Sequence, residues 1–217
     1  MTNNWLISYP KSGSNFIRYC IEFLTHLPTC GPTKLYEITP STPLILDRAH
    51  TIDERVANLH STANLCFLLR DYKELYYRPD MPRPWRNRVV FNSEGCQKLN
   101  NISSTLNSYF ELYERHQGKK KILYYEDILT DIEPIEDLVT NFYDCKLKED
   151  IEEFKKRIDY HRCQSLSVLG NPRFSDAVSA DFFQQDVPMQ ELQNLRDAFE
   201  KELGTNYKFV ERYRIGV

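Results

Sequence analysis

The first 25 residues constrain the fold more than any other stretch. Trp5-Leu-Ile-Ser8 is a short apolar run with the length and bulk of a buried strand. Tyr9-Pro-Lys-Ser-Gly-Ser-Asn15 follows as a polar turn of mostly small residues. From Phe16 to Thr25 the apolar residues Phe16, Ile17, Cys20, Ile21, Phe23 and Leu24 then recur at helical spacing. Strand, small-residue loop with one lysine, then helix is the opening of a βαβ unit. Such a unit commits the chain to a parallel sheet, because parallel neighbours need long crossover connections.

The rest of the chain continues in that pattern. Leu44-Ile-Leu46 reads as a second short strand ending at Asp47-Arg-Ala-His50, and Ile52 to Leu59 as a short helix. Asn64-Leu-Cys-Phe-Leu-Leu69 is an apolar run from Leu65 on, suited to a central parallel strand covered on both faces. Tyr72 to Tyr77 reads as helix, and residues 101 to 116 as an amphipathic helix. Ile122-Leu-Tyr-Tyr125 reads as a strand ending at Glu126-Asp127. Helices are predicted at about 133 to 143, 149 to 158 and 188 to 203. Pro28, Pro32, Pro40 and Pro43 mark a loop. Pro79, Pro82 and Pro84 mark an irregular insert over about 78–100. The expectation is an α/β fold of three layers, a mostly parallel central sheet with helices on both faces. Residues 1–217 form one domain on this reading, which the length accommodates.

Composition excludes several classes. The formal net charge of -3 supplies no bulk positive field for nucleic acid or anionic lipid, so any anion site must be built locally. There is no recognisable nucleic-acid-binding module. No apolar run approaches the roughly 18 residues of a membrane span, and Met1 to Asn4 carries no secretory pattern. Cys20, Cys30, Cys66, Cys96, Cys145 and Cys163 are scattered, with no C-x-x-C pair and no histidine at zinc spacing. A reducing, cytoplasmic setting without a metal site is the expectation.

The first loop carries the chemistry. Between a strand end and a helix start, backbone N–H groups without helical partners point outward and the helix dipole adds positive potential. Gly13 lets the backbone approach a ligand, Ser12 and Ser14 add hydroxyls, and Lys11 adds a mobile cation. The triphosphatase version of this loop, G-x-x-x-x-G-K-[ST], places its lysine after the glycine. Here the lysine precedes it, which counts against an ordinary ATPase or kinase. Read on residues alone, the string is also an ordinary lysine-bearing turn, and His50 an ordinary structural or exposed histidine.

Tyr9-Pro-Lys-Ser-Gly-Ser-Asn-Phe16 closely resembles the 5′-phosphosulfate loop of PAPS-dependent sulfotransferases, usually YPKSGTTW. (PAPS is 3′-phosphoadenosine 5′-phosphosulfate; PAP is the desulfated product.) The resemblance implies the P-loop-like sulfotransferase architecture. It also implies that Lys11, Ser12, Gly13, Ser14 and Asn15 wrap the 5′-phosphosulfate, with Phe16 replacing the usual tryptophan near the adenine. Arg48-Ala-His50 resembles the family's K-T-H element, which makes His50 the general base beside Lys11. Phe67-Leu-Leu-Arg-Asp-Tyr-Lys-Glu74 resembles the 3′-phosphate motif R-N-P-x-D-x-x-x-S-Y, with Arg70 as its arginine. Arg78 stands where that motif has serine. Leu123-Tyr-Tyr-Glu-Asp127 is similar to the family's strand ending in Y-E-D. The late R-K-G loop is absent as a string, and Gly170-Asn-Pro-Arg173 is its nearest counterpart. The implied activity is sulfuryl transfer from PAPS to a hydroxyl or amine of a small-molecule or carbohydrate acceptor, with no metal. Arg83, Trp85, Arg86 and Arg88 of the insert are placed to border that acceptor. The alternatives are a P-loop-type nucleotide kinase and a catalytically inactive PAP- or nucleotide-binding protein of the same fold. Oligomeric state is not legible.

Overall fold

The computed structural model of the chain describes residues 3–31, 35, 43–59, 61–77, 93–169 and 187–213. Two compact units emerge, Met1–Leu69 with His116–Asp176 and Arg70–Arg115 with Ala177–Val217.

The first unit is α/β. Among the described residues its strands are β1 (Asn4–Ser8), β2 (Asp47–Ala49), β3 (Asn64–Leu69) and β4 (Lys120–Tyr124), all parallel in the order β2-β1-β3-β4. Register sets Leu6 opposite Cys66, and Leu68 opposite Leu123, so these side chains share one face. On that face they join Phe16, Ile17, Cys20, Ile21 and Leu24 of helix α1 (Ser14–Thr25) in one buried cluster. Trp5, Ile7, Leu65 and Phe67 of the opposite face are buried as well. Burial on both faces is the condition under which parallel sheets are found.

Strand β3 falls where its apolar run predicts. Strand β2 does not: the ladder to β1 uses Asp47, Arg48 and Ala49, while Leu46 makes only an isolated bridge to Thr29. The second strand thus lies three residues beyond the apolar triplet, and His50 follows it directly. After β2 comes the short helix α2 (Glu54–Ala57), whose start is capped by Asp53 accepting from the Val56 N–H at 3.0 Å. Strand β4 begins at Lys120 and ends at Tyr124. Tyr125, read from sequence as its last residue, instead opens helix α5 (Tyr125–Thr130), with Glu126 and Asp127 in the first turn.

Three further helices complete the described part of this unit. Helix α6 (Glu133–Asp137) runs into a π-helical turn at Leu138–Phe142, and the Tyr143 hydroxyl beyond it donates to the Trp5 carbonyl at 3.1 Å. Helix α7 (Ile151–Lys156) is capped by Asp150, and α8 (Ile158–Leu169) is a helix the sequence did not announce. His161 of α8 is buried. It stacks on Phe154 at 4.0 Å, tilts against Phe23 at 4.6 Å, and shares a 3.1 Å hydrogen bond between Nδ1 and the Tyr19 hydroxyl.

The second unit is helical where it is described. Helix α3 (Tyr72–Tyr77) matches the sequence reading, and α4 (Ser93–Arg115) begins eight residues before the expected 101. Residues 93–100 of the expected insert are therefore helical, and 78–92 lie outside the described residues. Helix α9 (Met189–Leu203) packs Phe199 against Tyr72 at 4.5 Å, and Phe110 of α4 stacks on Phe209 at 4.5 Å. Polar ties reinforce the contact, with Asn107 Nδ2 donating to the Glu202 carbonyl at 3.0 Å. Among the described residues, no helix is long and apolar enough to cross a membrane.

The His161 environment sets a pH dependence. Burial first, and then nearby Arg157, hold its pKa below the ordinary 6.5, so the folded unit favours the neutral ring. A group with a depressed folded pKa binds its proton more readily when unfolded, so the stability it supports falls as pH drops below about 6.5. Urea midpoints measured between pH 7.5 and 5 are expected to decline on the acid side in the native chain. The decline should be shallower in His161→Gln, which keeps a hydrogen-bond acceptor but does not titrate.

Candidate active site

The loop between β1 and α1 is held in a conformation that few residues adopt. Lys11 has φ 70° and Gly13 has φ 91°, both left-handed. For a side-chain-bearing residue such as Lys11 this costs about 1–2 kcal/mol, and strain of that kind collects at functional sites. The turn is closed by the Ser12 N–H donating to the Tyr9 carbonyl at 3.1 Å. Lys11 is exposed, while Ser12 and Ser14 are buried and Asn15 is half-buried. Phe16 belongs to the core cluster.

Two features leave the start of α1 available to an anion. Among the described residues, no side chain caps this 12-residue helix, and its first turn contains no acidic residue. Ser12 is 1% exposed, yet its Oγ has no hydrogen-bond partner among the described residues. A buried hydroxyl without a partner is costly unless a ligand or water supplies one.

Gly13 is fixed by a neighbour as well as by its φ. A Cβ built there would stand 2.1 Å from Cε2 of Tyr125, so the tyrosine ring occupies the space that any other residue would need. Tyr125 thus presses on the loop from the end of β4.

His50 stands at the end of β2, joined to the end of β1. Its Nδ1 lies 2.7 Å from the Ser8 carbonyl oxygen and 3.3 Å from Ser8 Oγ. A carbonyl can only accept, so Nδ1 carries the hydrogen in the neutral ring and the lone pair is on Nε2. Burial lowers the His50 pKa; the Ser8 carbonyl opposes that, and Arg48 and Arg18 lower it further. With its folded pKa below 6.5, the ring is predominantly the free base at neutral pH.

Arg48 and Arg18 converge on one atom beside the loop. Arg48 Nη1 donates to Asn15 Oδ1 at 3.4 Å, and Arg18 Nη1 to the same oxygen at 3.5 Å. Arg18 is completely buried, and burial first, then Arg48, lowers its pKa to about 10 against the opposing effect of Glu22.

The structure therefore gathers Lys11, Ser12, Gly13, Ser14, Asn15 and His50 in one unit at the carboxyl ends of β1 and β2, where α/β sheets bind ligands. Arg70 opens the second unit and pairs with Glu74 at 3.8 Å. Arg78 and Arg173 lie outside the described residues. Sequence reasoning missed the parts played by Ser8, Arg18 and Tyr125. Arg18 had a legible signal: an arginine inside an apolar helical run, with Glu22 four residues on. Among the described residues, no group of three or more His, Cys, Asp or Glu side chains could hold a metal ion. A cleft of about 530 Å³ beside β4, lined in part by Asp127, Asp131, Glu133, Asp137 and Lys121, includes none of these loop or histidine residues. Neither a protein-family model nor a curated protein matches the chain.

Opposite stability effects follow at two neighbouring positions. Lys11→Gly removes left-handed strain and should stabilise the fold by up to about 1 kcal/mol, after the entropy of the added glycine. Gly13→Ala meets both φ 91° and the Tyr125 ring, and should destabilise by at least about 1 kcal/mol. Urea unfolding of the two single variants checks both signs.

Proposed function

We propose that the chain is a PAPS-dependent sulfotransferase of the P-loop-like, three-layer architecture, acting in the cytoplasm. The observation that carries this reading is the uncapped start of α1, fronted by the strained Lys11–Gly13 turn and the partnerless Ser12 hydroxyl. An anionic phosphosulfate answers each of these features. The backbone N–H groups and helix dipole meet its charge, Ser12 Oγ gains a partner, and Lys11 supplies a mobile cation. The sequence likeness to YPKSGTTW points the same way. Arg70, with Arg78 and Arg173, would hold the 3′-phosphate, and the guanidinium fork suits that group.

His50 is the general base. Nε2 accepts the proton of the acceptor hydroxyl as the hydroxyl oxygen bonds to sulfur. The bond from sulfur to the bridging oxygen breaks, and its electron pair leaves on the 5′-phosphate of PAP. Lys11 and the loop N–H groups stabilise the charge that grows on the bridging and equatorial oxygens, as in phosphoryl transfer. The Ser8 carbonyl fixes the ring's tautomer, and burial with Arg48 and Arg18 keeps it unprotonated at neutral pH. The acceptor is a hydroxyl- or amine-bearing small molecule or carbohydrate.

Thermal-shift titration with PAP, ADP and ATP, with and without magnesium, is the test. Ligands that bind only the folded state raise the apparent melting temperature by mass action. Metal-independent stabilisation by PAP, stronger than by ADP or ATP, is expected. A magnesium-dependent response to ATP and none to PAP would assign the chain to nucleotide kinases instead. His50→Gln should retain PAP binding while turnover of PAPS falls by about 10²- to 10⁴-fold. A native chain that binds PAP but transfers no sulfuryl group to any of a panel of hydroxyl and amine acceptors would be a binding protein.

A further inference from the structure

The most unusual side chain near the loop is Arg18. It is fully buried one turn into α1, where an apolar residue would serve the core. Its guanidinium is spoken for on several sides. Nε donates to Thr29 Oγ1 at 2.8 Å, and Nη1 reaches Asn15 Oδ1. Thr29 in turn donates to Glu22 Oε1 from its hydroxyl at 2.5 Å and from its N–H at 3.1 Å. Glu22 Oε1 lies 3.7 Å from Arg18 Nη2, which has no hydrogen-bond partner among the described residues. Gly31, at φ 126°, lies flat against the guanidinium, and a Cβ there would stand 2.9 Å from Nη1.

That arrangement is poor as a device for stability alone. A buried ion pair whose charges are not in hydrogen-bond contact recovers little of its desolvation cost, and well-packed apolar groups often replace such pairs without loss. What the arrangement does fix is position. The chain of contacts runs from Glu22 through Thr29 and Arg18 to Asn15, and Arg48 Nη1 meets Asn15 from β2, the strand directly before His50.

We propose that Arg18 is a positioning residue for the sulfuryl-transfer site: braced by Glu22 and Thr29, it holds Asn15 and Arg48 in place between the phosphate loop and His50. The proposal rests on the sulfotransferase reading above. It adds that the fixed positive charge beside the base is set from inside the core by a residue that touches neither substrate nor acceptor. Among the described residues, His50 meets the Ser8 carbonyl and hydroxyl from β1, and the charges of Arg48 on β2 and Arg18 on α1 act on its ring. Removing a cation from that set raises the pKa of the imidazole, because the protonated ring then meets less repulsion. That charge acts through space whatever the role of Arg18; Thr29→Val keeps it and removes only the brace, so PAP affinity in that variant is what a mere charge effect would not move.

The test measures the His50 titration by proton NMR and PAP affinity by calorimetry, in the native chain and in Arg18→Met, Arg18→Lys and Thr29→Val. His50→Gln identifies the resonance. The expected result is an upward movement of the His50 midpoint in Arg18→Met. PAP dissociation constants should rise at least tenfold in Arg18→Met and Thr29→Val. Arg18→Lys, which keeps the charge but loses the fork, should hold the midpoint and still lose affinity. Unchanged PAP affinity in both Arg18→Met and Thr29→Val would overturn the proposal, whatever the His50 midpoint does. If Arg18→Met fails to fold, the nearly isosteric Thr29→Val decides it by PAP affinity alone, and unchanged affinity overturns it. A native chain that does not bind PAP refutes the sulfotransferase reading instead. The His50 midpoint in Arg18→Met then still decides whether Arg18 sets the charge at the histidine.

Discussion

Parallel pairing on both sides of β1 is the constraint from which the site follows. Because β2 and β1 run in the same direction, their carboxyl ends meet at one edge of the sheet, and whatever follows each strand is delivered there. The phosphate-loop candidate follows β1 and His50 follows β2. A single contact, from the His50 ring to the Ser8 carbonyl, then fixes both the place and the tautomer of the histidine. Had either strand run the other way, the loop and His50 would stand at opposite ends of the sheet. Tyr125 arrives by the same logic, since β4 is parallel to β3 and ends at that edge too.

Much of this was legible in the chain, for identifiable reasons. Strand β3 falls where Asn64–Leu69 predicts, because an uninterrupted apolar run from Leu65 to Leu69 bounded by polar residues has few other solutions, and helix α3 falls where Tyr72–Tyr77 predicts. The loop was legible because small residues and a lysine between a strand and an apolar helical stripe make a strong local pattern. Strand β2 was misplaced because apolar content was taken as the signal. At an outer position of the sheet the ladder needs only backbone, and the charged Asp47 and Arg48 serve it. Tyr124 and Tyr125 favour strand by propensity, yet Glu126 and Asp127 sit where helix starts favour acidic residues, and a helix wins from Tyr125 onward. Helix α8 went unread because its apolar residues do not gather on one stripe.

The site's least legible parts are those whose role depends on partners distant in sequence. Ser8 matters through its carbonyl, which every residue has. Arg18 matters through Thr29 and Asn15, and only the i,i+4 spacing to Glu22 hints at it. The local penalties there run against stability: left-handed φ at Lys11, a buried hydroxyl at Ser12 and a buried guanidinium at Arg18. Departures of this kind from what a stable core prefers are expected at functional sites.

The contact between Gly13 and Tyr125 couples two positions 112 residues apart sterically. A larger residue at 13 demands both a smaller ring at 125 and a backbone free of its left-handed turn, which no single substitution supplies. A smaller side chain at 125, by contrast, leaves glycine at 13 sterically content. Substitution at the pair is therefore sterically ordered: position 125 can shrink first, whereas position 13 can grow only after it.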